Sequence, residues 1–260
     1  MRRLTIEPAA RPQTPTDPPV GPEGLDAIAE RVADPATSID EVKALLADAV
    51  DLVTGAGVAL VLDAEPAPAE LDAVARAAGF VPTRTMLQLR RSLPVPPTDR
   101  GRPPPGGAPL LRSFEPGVDD DAWLAVNNRA FAWHPEQSGW TRADLAERMA
   151  EPWFRADGFL VHHRSPSAGP GGAIDGFCWT KIHADHDPPL GEIFVIGVDP
   201  DAHGRGLGRS LTLAGLDWLA AQGLTVGMLY VEADNAAAVG LYRDLGFTEH
   251  LAHRWWRSGS

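Results

Sequence analysis

Cys178 is the only cysteine among 260 residues. No internal disulfide can form, and one thiol makes no zinc site by itself. A reducing, cytoplasmic setting is what this usage implies. Long apolar runs are missing too: none reaches the ~18 residues a membrane-crossing helix needs. Met1-Arg2-Arg3 is followed by no hydrophobic signal segment, so export is not expected. Positive charge is in deficit. The formal net charge of −12 argues against nucleic acid and against an anionic membrane surface. No Gly-Lys-Ser/Thr occurs, which excludes a nucleotide P-loop.

What remains is a chain of ordinary globular composition, 44% hydrophobic, long enough for one or two domains. Its most informative stretch is Gly191–Arg209. Glu192-Ile193-Phe194-Val195-Ile196-Gly197-Val198 reads as a strand, Asp199-Pro200 as a turn, and His203-Gly204-Arg205-Gly206-Leu207-Gly208 as a glycine loop opening an apolar-periodic helix. A strand, a glycine loop and a helix N-terminus in that order make an anion site. Glycines let the backbone approach a phosphate, and the free N–H groups of the first helical turn point at it. The spacing is not Gly-x-Gly-x-x-Gly, which disfavours a dinucleotide fold.

Residues 7–24 are proline-rich and read as a loose segment. Ser38 with Glu41 predicts a capping box for a helix over 39–52, whose stripe is Val42, Leu45, Leu46, Ala49 and Val53. Val58–Leu62 reads as a strand, Ala69–Ala78 as a helix, Val81–Arg90 as a strand. Residues 94–109 carry six prolines between Pro94 and Pro105, then Gly106-Gly107, and predict a linker. A strand over Leu110–Phe114 follows, then a helix over Asp119–Phe131. Next come an irregular loop from His134 to Trp140 and a helix capped by Thr141 with Asp144. Strands Phe159–His163 and Gly176–Ile182 flank an exposed loop. After Gly191–Arg209, the helix runs to Ala221. Then come a strand over Thr225–Val231, a helix over Asn235–Leu245 with Gly246 as its C-cap, and a last strand over Phe247–Trp256.

That order and the glycine loop resemble the GCN5-related N-acetyltransferases. The family's Gln/Arg-x-x-Gly-x-Gly/Ala pattern falls on His203, Gly206 and Gly208, with His203 departing from its first position. The resemblance covers 110–256. It implies an α/β (α+β) fold with a mixed central sheet flanked by helices, and acetyl-CoA as co-substrate with no metal. The expected domains are 1–93, a truncated acetyltransferase-like half without its own glycine loop; 94–109, the linker; and 110–260, the catalytic domain. Val126–Phe131, His134-Pro135-Glu136-Gln137, Gly176–Lys181, Gly191-Glu192 and Leu229–Asn235 resemble particular members of the family. Those are actinobacterial enzymes with two tandem halves that acetylate the cysteine amine of cysteinyl-glucosaminyl-inositol.

The resemblance implies roles. The loop His203, Gly204, Arg205, Gly206, Leu207, Gly208 and Arg209 holds the pyrophosphate, and the strand end Ile196, Gly197 and Val198 lies along the pantetheine. Asn235 meets the pantetheine amide. Glu192 is the base and Tyr242 the acid; Glu136, Lys181 and Tyr230, with Glu192 itself, contact the substrate. Each residue has a plainer reading. Gly206 and Gly208 serve a helix-entry turn, Glu192 is a solvated strand-end carboxylate, Tyr242 packs under its helix, and Asn235 is a helix cap. His183 and His186 are competing bases. Trp133, Trp140, Trp153 and Trp179 are candidates for stacking on a sugar or for plain packing. Cys178 reads as a buried small hydrophobe, and His162 and His163 show no metal spacing. A monomer is expected. Two other functions stay open: a same-fold acetyltransferase for another amine, such as a protein N-terminus or an aminoglycoside, and a non-catalytic acyl-CoA sensor. A sensor needs neither Glu192 nor Tyr242.

Overall fold

In the computed structural model, residues 1–8, 22–56, 58–101, 107–132, 137–164 and 169–259 are described. In chain order the elements are β1 (Arg2–Pro8), α1 (Leu25–Ala33), α2 (Ile39–Val53), β2 (Val58–Ala64), α3 (Ala69–Ala77), β3 (Phe80–Ser92), β4 (Leu111–Ser113), α4 (Asp120–Ala130), α5 (Arg142–Met149), β5 (Phe159–His163), β6 (Ile174–His183), β7 (Leu190–Val198), α6 (Leu207–Ala221), β8 (Val226–Glu232), α7 (Ala236–Asp244) and β9 (Thr248–Ser258). No helix among the described residues is long and apolar enough to cross a membrane.

The chain forms two compact units. One is Met1–Gln88 with Val231–Val239 and Glu249–Ser260; the other is Leu89–Tyr230 with Gly240–Thr248. In the first, β2 lies between β1 and β9, antiparallel to both. The pleat of β2 sends Leu60, Leu62 and Ala64 into a core shared with Leu45, Leu46, Leu71, Phe80 and Trp256. The reciprocal Ser38–Glu41 box starts α2, and the whole expected stripe of α2 is buried. Such a cap is worth about 1 kcal/mol. Residues 2–8, for which no strand was expected, form β1; the proline-rich residues 9–21 lie outside the described residues.

In the second unit the sheet order is β8-β7-β6-β5-β4. β7 and β8 run parallel, and the other neighbours antiparallel. Alternation along β6 separates two faces. Cys178 and Thr180 face α6, where a Cβ on Gly215 would lie 2.6 Å from the Cys178 sulfur; glycine there lets helix and sheet approach. Trp179 faces the opposite way. It stacks on Phe159 at 4.5 Å and meets Trp123 of α4 at 5.9 Å. Trp123 and Trp179 are fully buried, and this aromatic face forms a hydrophobic core of the unit. Thr141 and Asp144 form the expected capping box of α5.

Candidate active site

β6 and β7 set the site's geometry. Their register runs Gly176↔Val198 to Trp179↔Val195, then jumps to Thr180↔Ile193. Phe194 is therefore an extra residue on β7, a β-bulge, and bulges re-aim side chains. Phe194 meets Trp153 and Trp179, and Val195 packs in the same cluster, so two successive side chains leave one face. On its other edge β7 pairs with β8 at Gly191↔Gly227, Glu192↔Met228 and Ile193↔Leu229, and the parallel ladder ends there. Beyond Ile193, β7 runs on to Val198 against β6 alone, leaving the edge toward β8 outside the ladder.

Glu192 sits immediately before that divergence and is 7% exposed. It is not a solvated strand-end carboxylate. Its Oε2 lies 2.7 Å from His183 Nε2. Lys181 is the Cα partner of Glu192 in the ladder. Its ammonium lies 4.8 Å from the Trp153 ring centre and 5.6 Å from that of Phe194. Such cation–π contacts are worth on the order of 1 kcal/mol. Arg148 of α5 reaches Phe194 from 5.9 Å. One face thus gathers a buried carboxylate, an imidazole and a lysine on an aromatic shelf. Of the tryptophans offered for stacking, Trp179 is sealed in the core, Trp140 packs edge-on against Trp123 at 5.6 Å, and Trp153 is the shelf. Trp133 and Glu136 lie outside the described residues.

The glycine loop follows β7. Gly204 and Gly206 have φ of +76° and +78°, the left-handed region that side chains with a Cβ disfavour. Gly206 is the N-cap of α6 and offers no side chain, so the first turn's N–H groups stay available. The first i→i−4 bond begins only at Ser210 N–H, to Gly206 O. A Cβ on Gly208 would meet Leu241 and Val198 only at ordinary contact distance. A Cβ on Gly197 would lie 2.7 Å from the Phe177 ring, so that glycine is required by packing. His203 turns back to Val198 O at 3.1 Å, Arg205 donates to Asp201 O at 3.2 Å, and Arg209 reaches Asp244 at 3.3 Å. Leu207 is buried toward Gly176.

Tyr242 on α7 is 6% exposed. Burial pushes its phenol well above the ordinary tyrosine range, and Cys178 nearby adds to this. It stands against Phe247 at 5.8 Å. Cys178 is fully buried, and burial raises its thiol far beyond any nucleophilic range. Asn235 caps α7, accepting the Ala238 N–H at 3.1 Å. Tyr230 is 36% exposed at the end of β8.

Sequence reasoning missed two anchors. Asp199, 1% exposed, accepts from Arg129, from Arg164 at 2.9 Å and from the Asp201 N–H at 3.0 Å. Burial opposes its charge, but these partners hold its carboxyl below the usual range. It fixes the turn from β7 into the glycine loop. The other anchor is His183, read only as a rival of Glu192; the structure makes it Glu192's partner. The pairing has a sequence signal: His183 and Glu192 flank a short hairpin tip containing Pro188-Pro189.

Residues 126–247 match the acetyltransferase (GNAT) family model. The chain is 51% identical over 179 residues to the mycothiol acetyltransferase of Salinispora arenicola, covering 67% of this chain and 55% of that protein. It is 48% identical over 187 residues to the mycothiol acetyltransferase of Streptomyces griseus, covering 72% and 58% respectively. The chain thus spans little more than half the length of these relatives. Among solved structures, a GCN5-related N-acetyltransferase from Sphaerobacter thermophilus superposes with a TM-score of 0.57 at 22% identity, covering 74% of this chain and 56% of that one. A tandem GNAT protein from the clavulanic acid pathway gives 0.51 at 18% identity, covering 83% and 69%; at these identities the likeness concerns the fold. The parallel β7–β8 pair that parts after Ile193, the bulge at Phe194 and the glycine loop into α6 all lie within the residues that match the acetyltransferase (GNAT) family model.

Proposed function

We propose that the protein is an acetyl-CoA-dependent N-acetyltransferase. Its substrate is the cysteine amine of cysteinyl-glucosaminyl-inositol, and its product is mycothiol. The reaction class is supported by one observation above the others: two left-handed glycines open α6 next to the point where β7 leaves β8. The cradle suits a pyrophosphate, because free first-turn amides and the helix dipole favour an anion there. The edge of β7 beyond Ile193 suits a pantetheine arm, whose amides need backbone partners. Ile196, Gly197 and Val198 would supply them, with Asn235 at the pantetheine amide. The substrate assignment draws on the two relatives, both named for mycothiol, and on the resemblance carried by Val126–Phe131, Gly176–Lys181 and Leu229–Asn235.

Acyl transfer to an amine needs the ammonium deprotonated, the oxyanion held and the leaving thiolate protonated. Glu192 takes the amine's proton, and His183, 2.7 Å away, orients its carboxylate. A β7 amide beyond the ladder's end donates to the oxyanion. Tyr242 protonates the thiolate; its burial keeps the phenol in the proton-bearing form across the working range. Lys181 and Tyr230 contact the polyol, with Glu136 as a further contact. In this reading, residues 1–93 are an acetyltransferase-like half without a glycine loop of its own, and the protein acts as a monomer.

The test is incubation with acetyl-CoA and cysteinyl-glucosaminyl-inositol, followed by thiol release and product mass. A mass gain of one acetyl group on the cysteine amine is expected. Thiol release only with other amines would move the protein to a different substrate; acetyl-CoA binding without any thiol release would make it a sensor.

A further inference from the structure

The tip of the β6–β7 hairpin carries His183-Ala184-Asp185-His186. One ligand atom each from His183, Asp185 and His186 all lie within 4.8 Å of one another. The two imidazoles stand perpendicular with ring centres 5.7 Å apart. Tetrahedral zinc with ligand bonds of about 2.0–2.2 Å holds its donors roughly 3.4 Å apart. Asp185 and His186 are exposed, so small rotations of two surface side chains close the difference.

We propose that His183, Asp185 and His186 form a binding site for a divalent transition metal of the zinc class. The donor set selects the class. Two imidazoles and one carboxylate suit zinc and its first-row neighbours, whereas calcium and magnesium prefer oxygen donors throughout. His183 is already arranged as metal-binding histidines are. Its Nε2 lies 2.7 Å from the buried carboxylate of Glu192. The neutral tautomer of His183 that donates from Nε2 to this carboxylate leaves the Nδ1 lone pair for the metal. Glu192 is thus the outer partner of a carboxylate–histidine–metal arrangement. Three protein ligands leave a fourth position open to water or to a thiolate. The family resemblance implies no metal, and His183 and His186 read in sequence as competing bases; the hairpin tip brings their donors and that of Asp185 together.

Metal binding is tested directly and does not depend on which reaction the protein performs. The full chain, stripped with chelator, is titrated with zinc chloride in a calorimeter, and with cobalt(II) followed by visible absorption. One equivalent of zinc and the absorption bands of a low-coordinate cobalt site are expected. His186→Ala and Asp185→Ala, both at exposed positions, should each weaken zinc binding at least tenfold, with circular dichroism unchanged. His253→Ala removes the histidine beside Asp63 and Glu65 and should leave zinc binding as it was. Absence of zinc uptake by the wild-type chain, or equal affinity in the Asp185→Ala/His186→Ala double variant, overturns the proposal.

Discussion

Glu192 and His183 are bonded diagonally across the β6–β7 ladder, Oε2 to Nε2 at 2.7 Å. In an antiparallel pair the residue facing Glu192 is Lys181, and His183 is two positions further on the same face. The contact follows from register and would be lost if β6 slipped by one residue. It ties a buried carboxylate to a half-buried imidazole at the point where the parallel strands part.

Glu192→Gln keeps the shape and removes the negative charge. Acetyl transfer should fall by about 10²-fold or more, the scale of a lost general base. Calorimetric affinity for acetyl-CoA should stay within a factor of two or so of wild type, since in the proposed reaction the carboxylate serves the amine and not the cofactor. A full rate in this variant would transfer the base role to His183 or to water.

Tyr242→Phe keeps the ring against Phe247 and deletes only the hydroxyl. Turnover should drop by about 10²-fold with melting temperature nearly unchanged. Burial raises the phenol's pKa, so in the wild type the alkaline loss of rate assigned to this acid should begin above the ordinary tyrosine value of 10. Retained turnover with a lowered melting point would mark Tyr242 as a packing residue.

Gly206→Val forces a branched residue to a φ of +78° and places methyl groups where the pyrophosphate would approach. The conformational cost is about 1–2 kcal/mol, visible as a modest fall in melting temperature. Acetyl-CoA affinity should fall much further, by at least tenfold. Unchanged affinity in a folded variant would leave the loop a purely structural turn.

The acetyl-CoA stoichiometry should be one per chain by calorimetry. Val58–Ala64 in the first unit leads to α3 through Glu65-Pro66-Ala67-Pro68, which has no glycine to open a helix N-terminus to phosphate. Two equivalent sites would contradict an inert first half.

Arg112 grips Asp119 through two bonds of 2.7 Å, and Asp119 also accepts the Glu115 and Gly171 N–H groups at 2.8 Å. Burial disfavours the charge, yet these four donors hold the carboxyl below its usual 3.8. The stability linked to this group is therefore present above pH 3.8 and lost as the pH falls through the lower folded value. Arg112→Ala leaves a fully buried charge without its cation and should cost about 3–5 kcal/mol in denaturant titration at neutral pH. A loss below about 1 kcal/mol would mean that the backbone donors suffice.

Features written in local sequence were the ones legible in advance. The two capping boxes, the stripe of α2 and the span Leu207–Ala221 of α6 need only neighbours a few residues apart, and all are found as expected. The glycine loop was legible for the same reason. Features that depend on partners far along the chain were not. Nothing in Phe194 itself announces a bulge, because a bulge is a mismatch of register between two strands. Asp199 reads as an ordinary turn residue until Arg129 and Arg164 converge on it from elements 70 and 35 residues away. The last strand was expected beside the glycine-loop domain, yet Arg254–Arg257 pair with β2.

That pairing has a consequence for how the protein is made. Leu62 lies opposite Trp256, and Trp256 fills the core of the first unit. The strand that covers one edge of β2 follows the entire second unit in the chain. During synthesis, the amino-terminal residues emerge first but wait for the whole second unit to be translated before their sheet can close. Until then β2 presents an open edge and Leu60 and Leu62 lack their indole lid, the kind of surface on which nascent chains aggregate or recruit chaperones.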